Sequence, residues 1–147
     1  PIMSADERAA IEEAVEEANA TFYRAIEIRS IELMGEVWAH EEWVRCVHPG
    51  WDLITGWRRV RESWMSIFEG DQNLRISPSF VDVNYLGDVA WVSCTEDIIA
   101  SYETSIESAQ ATSTNLFVKR QSRWLLVHHH SSAIPLIIPH DLADIIQ

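Results

Sequence analysis

Apolar residues recur every three or four positions through the first part of the chain, which is the spacing of an amphipathic helix. Four glutamates, at positions 12, 13, 16 and 17, fall between them on a polar face. Ser4 and Glu7 have the spacing of a capping box, so the helix is predicted to begin there and to run for about six turns. The apolar positions are Ile11, Val15, Ala18, Phe22 and Ile26. A second, short helix is predicted from Ser30 and a third over residues 57–68.

The hydrophobic period then changes to that of strands. Two short strands are predicted at 44–48 and 51–55, and four longer ones near 74–85, 88–104, 108–120 and 123–133. The alternation slips between Phe80 and Val81, which predicts a bulge, and Pro78 predicts an edge strand. The element order predicts one α+β domain over residues 1–147, with a curved antiparallel sheet around the long N-terminal helix. Such a half-cone leaves a cavity at its mouth.

Composition narrows the possible partners. The chain has 147 residues, 47% of them hydrophobic, and a formal net charge of −12. This charge disfavours nucleic acid and anionic membrane surfaces as partners. No apolar run reaches the roughly 18 residues of a membrane span, and no secretory signal is visible, so we expect a cytoplasmic protein with Cys46 and Cys94 free and buried. The apolar tail 136–147 is expected to dock on its own domain or on a partner.

Three consecutive histidines, His128, His129 and His130, follow the apolar start of the last predicted strand. Strand alternation places His128 and His130 on one face, and His129 on the other with Val127 and Ser131. One interpretation is a metal site on the His128–His130 face, but no partner motif such as HExxH accompanies it, so no metal is predicted. The alternatives are an outer-face pair that a dimer would bury and an inward-facing His129.

The element order, Pro49, Gly56, the segment 87–91 and above all the run 124–131 resemble the nuclear transport factor 2-like superfamily. Within it the chain resembles SnoaL-like and ketosteroid-isomerase-like proteins, and also the association domain of calcium/calmodulin-dependent protein kinase II. The resemblance covers about residues 6–140. It implies a cone-shaped fold with a deep pocket, and dimers or larger rings built on the outer sheet face. It therefore implies a homodimer on the His128 and His130 side, with His129 on the pocket wall.

At the positions that match the catalytic residues of ketosteroid isomerase, this chain has different residue types. Phe22 takes the place of the tyrosine, with Tyr23 next to it, His48 that of the base, and Asn115 that of the second acid. His48, as a turn residue before Pro49, is equally a cap for the local backbone. The pocket arginines of the kinase association domain correspond to Asn115 and Ser131, so the resemblance does not imply an anion-binding pocket here.

Two functions of different classes follow. The first is a small-molecule-binding domain, dimeric and without cofactor, whose ligand is small and apolar or aromatic. The second is an isomerase or cyclase with His48 or His129 as general base and Asn115 stabilising an enolate or oxyanion. Glu96, two residues beyond Cys94, has two interpretations: a buried acid with a raised pKa, or a solvated or ion-paired carboxylate near a strand end, which is the usual case. It is therefore assigned to neither function. The predicted ligand-binding residues are Phe22, Trp51, Trp64, Trp91, Thr95, Phe117 and Ser131.

Overall fold

The computed structural model describes residues 2–70 and 73–135. The predicted docking tail, 136–147, lies outside these residues. Within the described ranges, no helix is both long enough and apolar enough to cross a membrane. The elements in chain order are α1 (Ala5–Glu27), α2 (Ile31–Val37), β1 (Arg45–Val47), β2 (Ile54–Thr55), α3 (Trp57–Glu69), β3 (Leu74–Leu86), β4 (Val89–Ser101), β5 (Ile106–Arg120) and β6 (Arg123–Ala133).

Helix α1 begins where the capping box predicts. The Ser4 side chain accepts a hydrogen bond from the Glu7 backbone N–H at 3.1 Å, which satisfies one of the free donors of the first turn. Val15, Phe22 and Ile26 of the predicted apolar stripe are buried, whereas the glutamates between them are exposed. The stripe therefore packs α1 against the concave face of the sheet, and hydrophobic burial stabilises it there.

The sheet has the order β2-β1-β6-β5-β4-β3 and does not close. The four long strands pair antiparallel in chain order, as their short connections require, whereas β1 pairs parallel with β6. The α+β class and the cone-shaped arrangement around the long helix are confirmed. The sheet is mixed rather than purely antiparallel, because β1, the strand that follows α2, runs in the same direction as its neighbour β6.

Two irregularities bend the strands. β3 lies at the sheet edge, as Pro78 predicts, and its register shifts between Ser79 and Asp82, with Phe80 at φ 51°. The predicted bulge is therefore confirmed. A second shift, not predicted, sets Leu116 opposite His128 but Phe117 opposite Leu126, so one extra residue stands in β6. Bulges increase local twist and curvature, which is what a sheet wrapped around a helix needs.

The second bulge changes which residues share a face with His129. Trp124 and Leu126 are buried before it, and His129 and Ser131 are buried after it. Val127 is the extra residue, half-buried and without a partner in β5. The inward direction of His129 and Ser131 follows the predicted alternation, whereas Leu126, and not Val127, precedes them on the buried face.

Candidate functional site

A cavity of about 180 Å³ opens at the wide end of the cone, between α1, α3 and the concave face of the sheet. The volume has room for about six water molecules. Hydrophobic side chains and two indoles form most of its wall, and three polar side chains interrupt it: His48, Glu96 and His129. The remaining lining residues are Ile26, Pro49, Trp51, Trp64, Ile67, Leu74, Ile76 and Ile98.

Glu96 is the centre of a buried polar cluster. Its side chain sits on β4, and the residue is only 3% exposed. Tyr23 donates its phenolic hydrogen to Glu96 Oε2 at 2.7 Å, and the Ser131 hydroxyl donates to Oε1. Two donors on one carboxyl group match an ionised acceptor, because a carboxylate has no hydrogen to donate and about four lone pairs to fill. Glu96 therefore brings a negative charge to the cavity wall.

Tyr23 connects Glu96 to Asn115 by hydrogen bonds and orients the Asn115 amide. Burial raises the pKa of the Tyr23 hydroxyl, and the Glu96 charge raises it further, so the phenol stays protonated. Its one hydrogen is committed to Glu96, and its oxygen therefore accepts from Asn115 Nδ2 at 3.1 Å. The same Nδ2 donates to Asn19 Oδ1 at 2.9 Å. The amide is thus oriented with its nitrogen toward α1 and its oxygen toward His129.

The Asn115 oxygen determines the tautomer of His129. His129 Nδ1 lies 2.6 Å from Asn115 Oδ1, and an amide oxygen only accepts, so Nδ1 carries the hydrogen. Burial lowers the pKa of His129 to about 3, with smaller contributions from His128 and His130, so the ring is neutral near pH 7. Nε2 then presents a lone pair on the cavity side.

His129 Nε2 and Glu96 Oε2 face each other at 3.9 Å. This separation exceeds hydrogen-bond distance. A carboxylate so near would favour a protonated imidazole, but burial of a side chain that is 2% exposed outweighs it. The two groups are therefore two acceptors next to each other, with no hydrogen between them.

His48 is oriented by α3. The Ser63 hydroxyl donates to Val60 O at 2.6 Å, which uses its only hydrogen, so His48 Nε2 at 2.8 Å must donate to Ser63 Oγ. Nδ1 then carries a lone pair. Burial lowers the pKa of His48 to about 3, helped by His129, whose ring centre lies 6.3 Å away. His48 is thus a second neutral imidazole in the cavity wall.

The structure brings four of the predicted site residues to this cavity. His48, His129, Trp51 and Trp64 all line it. The Trp64 ring packs edge-on against His48, with the ring centres 4.5 Å apart. Trp51 is 46% exposed, which places it at the opening.

Three other predicted residues are buried behind the wall. The Phe22 and His129 rings pack together with their centres 4.9 Å apart. Ser131 does not line the cavity, but its hydroxyl donates to Glu96, which does. Asn115 is not among the lining residues, since its amide is used by His129, Tyr23 and Asn19.

The last three predicted residues lie farther away. Phe117 is fully buried and pairs with Ala90, toward the other end of β5 from the cavity. Trp91 and Thr95 alternate with the inward-facing Val92 and Cys94, and therefore project from the outer face of the sheet. They do not line this cavity.

The sequence interpretation missed the residues that connect the site. Glu96, Asn19 and Tyr23 are buried polar side chains that converge from β4 and α1. Two of them carried a signal in the sequence: Glu96 follows Cys94 at the spacing of one strand face, and Tyr23 is adjacent to Phe22 on the stripe of α1. Among the described residues, no group of three or more His, Cys, Asp and Glu side chains has the arrangement of a metal site.

The outer face carries the other two histidines of the run. His128 and His130 stack on each other with ring centres 6.4 Å apart. Partial burial lowers the pKa of His128, and His130 and Arg45 add to this effect. The His130 side chain is exposed.

A mixed, curved sheet wrapped around a long helix, with a polar cluster at its open end, is the nuclear transport factor 2-like architecture. The family model of the SnoaL-like domain matches residues 15–137, and the chain belongs to this family. The resemblance predicted from the sequence is therefore confirmed.

Three known proteins show how close the relatives are. A candidate dehydratase of the nuclear transport factor 2-like family from Streptomyces avermitilis has 29% identity and a TM-score of 0.79, covering 87% of this chain and 99% of that one. A candidate calcium/calmodulin-dependent protein kinase type II association domain from Thiobacillus denitrificans has 29% identity and a TM-score of 0.71, covering 82% and 94%. The F-box protein SKIP8 of Arabidopsis thaliana is 28% identical over 134 residues, which are 91% of this chain and 55% of that protein. The chain thus spans about half the length of this relative.

Proposed function

We propose that this domain binds a small, largely apolar molecule in the cavity at the open end of the cone. One observation carries the proposal: His48, His129 and Glu96 all line the same cavity, whose other walls are hydrophobic or aromatic. Apolar walls with a few convergent polar groups are typical of small-molecule sites. The three polar groups are held by buried partners, so the site is preorganised rather than formed on binding.

Binding is preferred over catalysis because of the basicity of the two histidines. A general base works best when its pKa lies near the working pH. Burial lowers the pKa of both His48 and His129 to about 3, which makes each a weak base at neutral pH. Both remain good hydrogen-bond acceptors, which is the property that a binding site uses.

Native mass spectrometry of the protein purified from its own host tests the binding proposal. We expect a small-molecule adduct that Ile98→Phe removes, because the larger side chain fills the cavity. Ile106→Phe is the matched control: the same change is made at an exposed position, and the adduct should remain. A protein that carries no adduct and takes up neither toluene nor benzyl alcohol in titrations contradicts the proposal.

The second part of the proposal is a homodimer formed through the outer sheet face. Val89, Trp91, Leu116 and Val118 project from this face, half-buried or exposed, beside the His128–His130 pair. Such an apolar surface favours association. The association domain among the similar structures supports self-association as a family property. The same native mass spectrum tests it, because a dimer has twice the 16.8 kDa mass of the chain.

A proton-transfer enzyme of the isomerase or cyclase type is the second candidate. It is favoured by the His129 Nε2 lone pair on the cavity side, and by the similarity to a candidate dehydratase. In this proposal Asn115 orients His129 rather than polarising a substrate oxygen, since its Nδ2 already donates to Asn19 and Tyr23.

A base-sensitive probe tests this candidate. 5-Nitrobenzisoxazole opens when a base removes its ring proton, and the coloured product is followed by absorbance. Saturable ring opening that His129→Gln abolishes and His130→Gln retains is the expected result. Equal rates in the two variants contradict it.

A cytoplasmic location is also part of the proposal. Cys46 and Cys94 are both free and buried, as expected for a protein kept in a reducing compartment.

A further inference from the structure

The polar groups of the cavity wall share one chemical property: each of them accepts hydrogen bonds. Glu96 accepts with both oxygens, and its two protein donors leave about half of its lone pairs free. His129 presents Nε2 without a hydrogen, because Nδ1–H is committed to Asn115. His48 Nδ1 has no hydrogen, because Nε2–H is committed to Ser63, and the thiol of Cys46, a weak donor, lies 4.0 Å from it. A ligand that complements this wall must supply the donors.

The charge of the residues that line the cavity disfavours an anionic ligand. Among the described residues that line it, Glu96 carries the one formal charge, and no lysine or arginine is included. Arg29, near the wall, donates instead to the backbone oxygens of Ile67, Phe68 and Leu74. An anionic ligand would therefore meet a buried carboxylate with no cation among the lining residues to pair with, which is costly between mostly apolar walls.

We propose that the cavity selects a small organic cation: a protonated amine with an apolar or aromatic body. This inference rests on the proposed binding function and names its ligand class. Glu96 Oε2 and His129 Nε2 are 3.9 Å apart, so one ammonium nitrogen lies within hydrogen-bond reach of both. Trp51 and Trp64 also belong to the cavity wall, and an indole ring attracts a cation that lies over its face. The net charge of −12 attracts cations toward the protein as a whole.

The neutral state of the two imidazoles supports the same ligand class. Burial lowers the pKa of His48 and of His129, so neither ring becomes a donor or a positive charge near pH 7. Trp64 Nε1 has no hydrogen-bond partner within the described ranges, but the atom is buried away from accessible space. It therefore presents no donor to the cavity as the protein stands.

Four probes that share a benzene ring test the proposal: toluene, benzyl alcohol, benzylamine and benzoate. They are titrated calorimetrically near pH 7 at about 0.15 M salt, where attraction to the surface charge is screened. Benzylamine, protonated at this pH, should bind about tenfold or more tightly than benzyl alcohol, because hydrogen bonds to charged groups are the stronger ones. Benzoate should bind most weakly.

Glu96→Gln assigns the preference to the carboxylate. The amide oxygen can still accept from Tyr23 or Ser131, but the charge is lost, so the advantage of benzylamine over benzyl alcohol should disappear. Glu13→Gln, at an exposed position of α1, removes the same charge outside the cavity and should keep the advantage. If Glu96→Gln does not fold, the relative affinities of benzylamine, benzyl alcohol and benzoate for the unmodified protein still test the cation proposal.

The outcomes separate the two proposals. If toluene and benzyl alcohol bind but benzylamine has no advantage, or if benzoate binds as tightly as benzylamine, the cation proposal is overturned and the binding function stands. An advantage that persists in Glu96→Gln also overturns it. If none of the four probes binds and native mass spectrometry shows no adduct, the binding function fails and the cation proposal with it. If none binds but an adduct is present, the cation proposal alone is overturned.

Discussion

The two faces of strand β6 use the same residue type in opposite ways. His129 is buried on the concave face, where Asn115, Phe22 and Glu96 surround it. His128 and His130, its immediate neighbours, stack on each other on the convex face, and His130 is exposed. One step along the strand therefore separates a buried, neutral imidazole with fixed partners from a solvent-facing one. Burial and partners determine what such a side chain does.

The two faces also differ in what a substitution should cost. On the concave face the Glu96, Tyr23, Asn115 and His129 side chains are joined by buried hydrogen bonds, so removing one of them leaves another without its partner. On the convex face water replaces a lost partner at little cost. Stability should therefore respond strongly to changes on the inner face, whereas association should respond to changes on the outer face.

The largest contrast is expected between Asn115 and its neighbour Thr114. Asn115→Ala removes the acceptor of His129 Nδ1–H and the donor to Asn19 Oδ1, both buried, and leaves a small void. We expect the free energy of unfolding to fall by about 3 kcal/mol. Thr114→Ala changes the outer face, where the side chain is exposed, and should cost less than about 1 kcal/mol.

Urea unfolding followed by circular dichroism measures both losses. The inner variant should have the lower midpoint with an unchanged slope, which shows that stability and not compactness has changed. A loss for Thr114→Ala as large as that for Asn115→Ala would show that the buried hydrogen bonds do not distinguish the two faces.

Much of this contrast was predictable from the sequence, because it depends on local periodicity. The stripe of α1 and its capping box gave a helix that begins where predicted, and the slip at Phe80 gave the bulge of β3. Strand alternation separated His129 from His128 and His130. The parallel pairing of β1 with β6 was not predictable, because nothing local in a three-residue strand specifies its neighbour.

The candidate site was predictable only in part, because it depends on curvature and register. His48, His129, Trp51 and Trp64 were predicted and meet at one cavity. Trp91 was assigned to the ligand, but alternation with the inward-facing Val92 turns it to the outer face. The position of Glu96 near a strand end predicts a solvated carboxylate, whereas the residue is 3% exposed. Glu96 is buried because α1 covers the concave face of the sheet and brings Tyr23 to it, and this packing is visible only in three dimensions.

The second contrast is a pH dependence of stability. Burial lowers the folded-state pKa of His48 and His129 to about 3, from an unfolded value of 6.5. Between these values the unfolded chain binds protons that the folded one refuses, so stability is full above the unfolded pKa and falls as the pH decreases. From about pH 7 to about pH 5.5, each histidine should cost about 1 kcal/mol of unfolding free energy.

Replacing one histidine on each face isolates this effect. His129→Gln should reduce the loss between the two pH values by about 1 kcal/mol, since one of the two buried rings is gone. His130→Gln, on the exposed side, should leave the difference close to that of the unmodified protein. Denaturant midpoints at both pH values give the comparison within each variant, so a lower overall stability of His129→Gln does not affect the result. Identical pH dependence in the two variants would contradict the assigned burial.

The smallest effect on stability, and the most direct test of the two-face comparison, is expected from His130→Ala. This exposed side chain contributes little to folding, so the unfolding free energy should stay within about 0.5 kcal/mol of the unmodified value. In the proposed dimer, however, the His130 side chain lies in the interface. Its loss should raise the dimer dissociation constant several-fold in sedimentation equilibrium at neutral pH, while benzyl alcohol binding stays unchanged.

His129→Ala should weaken benzyl alcohol binding and leave the dimer dissociation constant unchanged, because it removes part of the cavity wall and leaves the convex face intact. Equal effects of the two substitutions on both assays would mean that the faces are not functionally separate, and that the histidine run acts as one site.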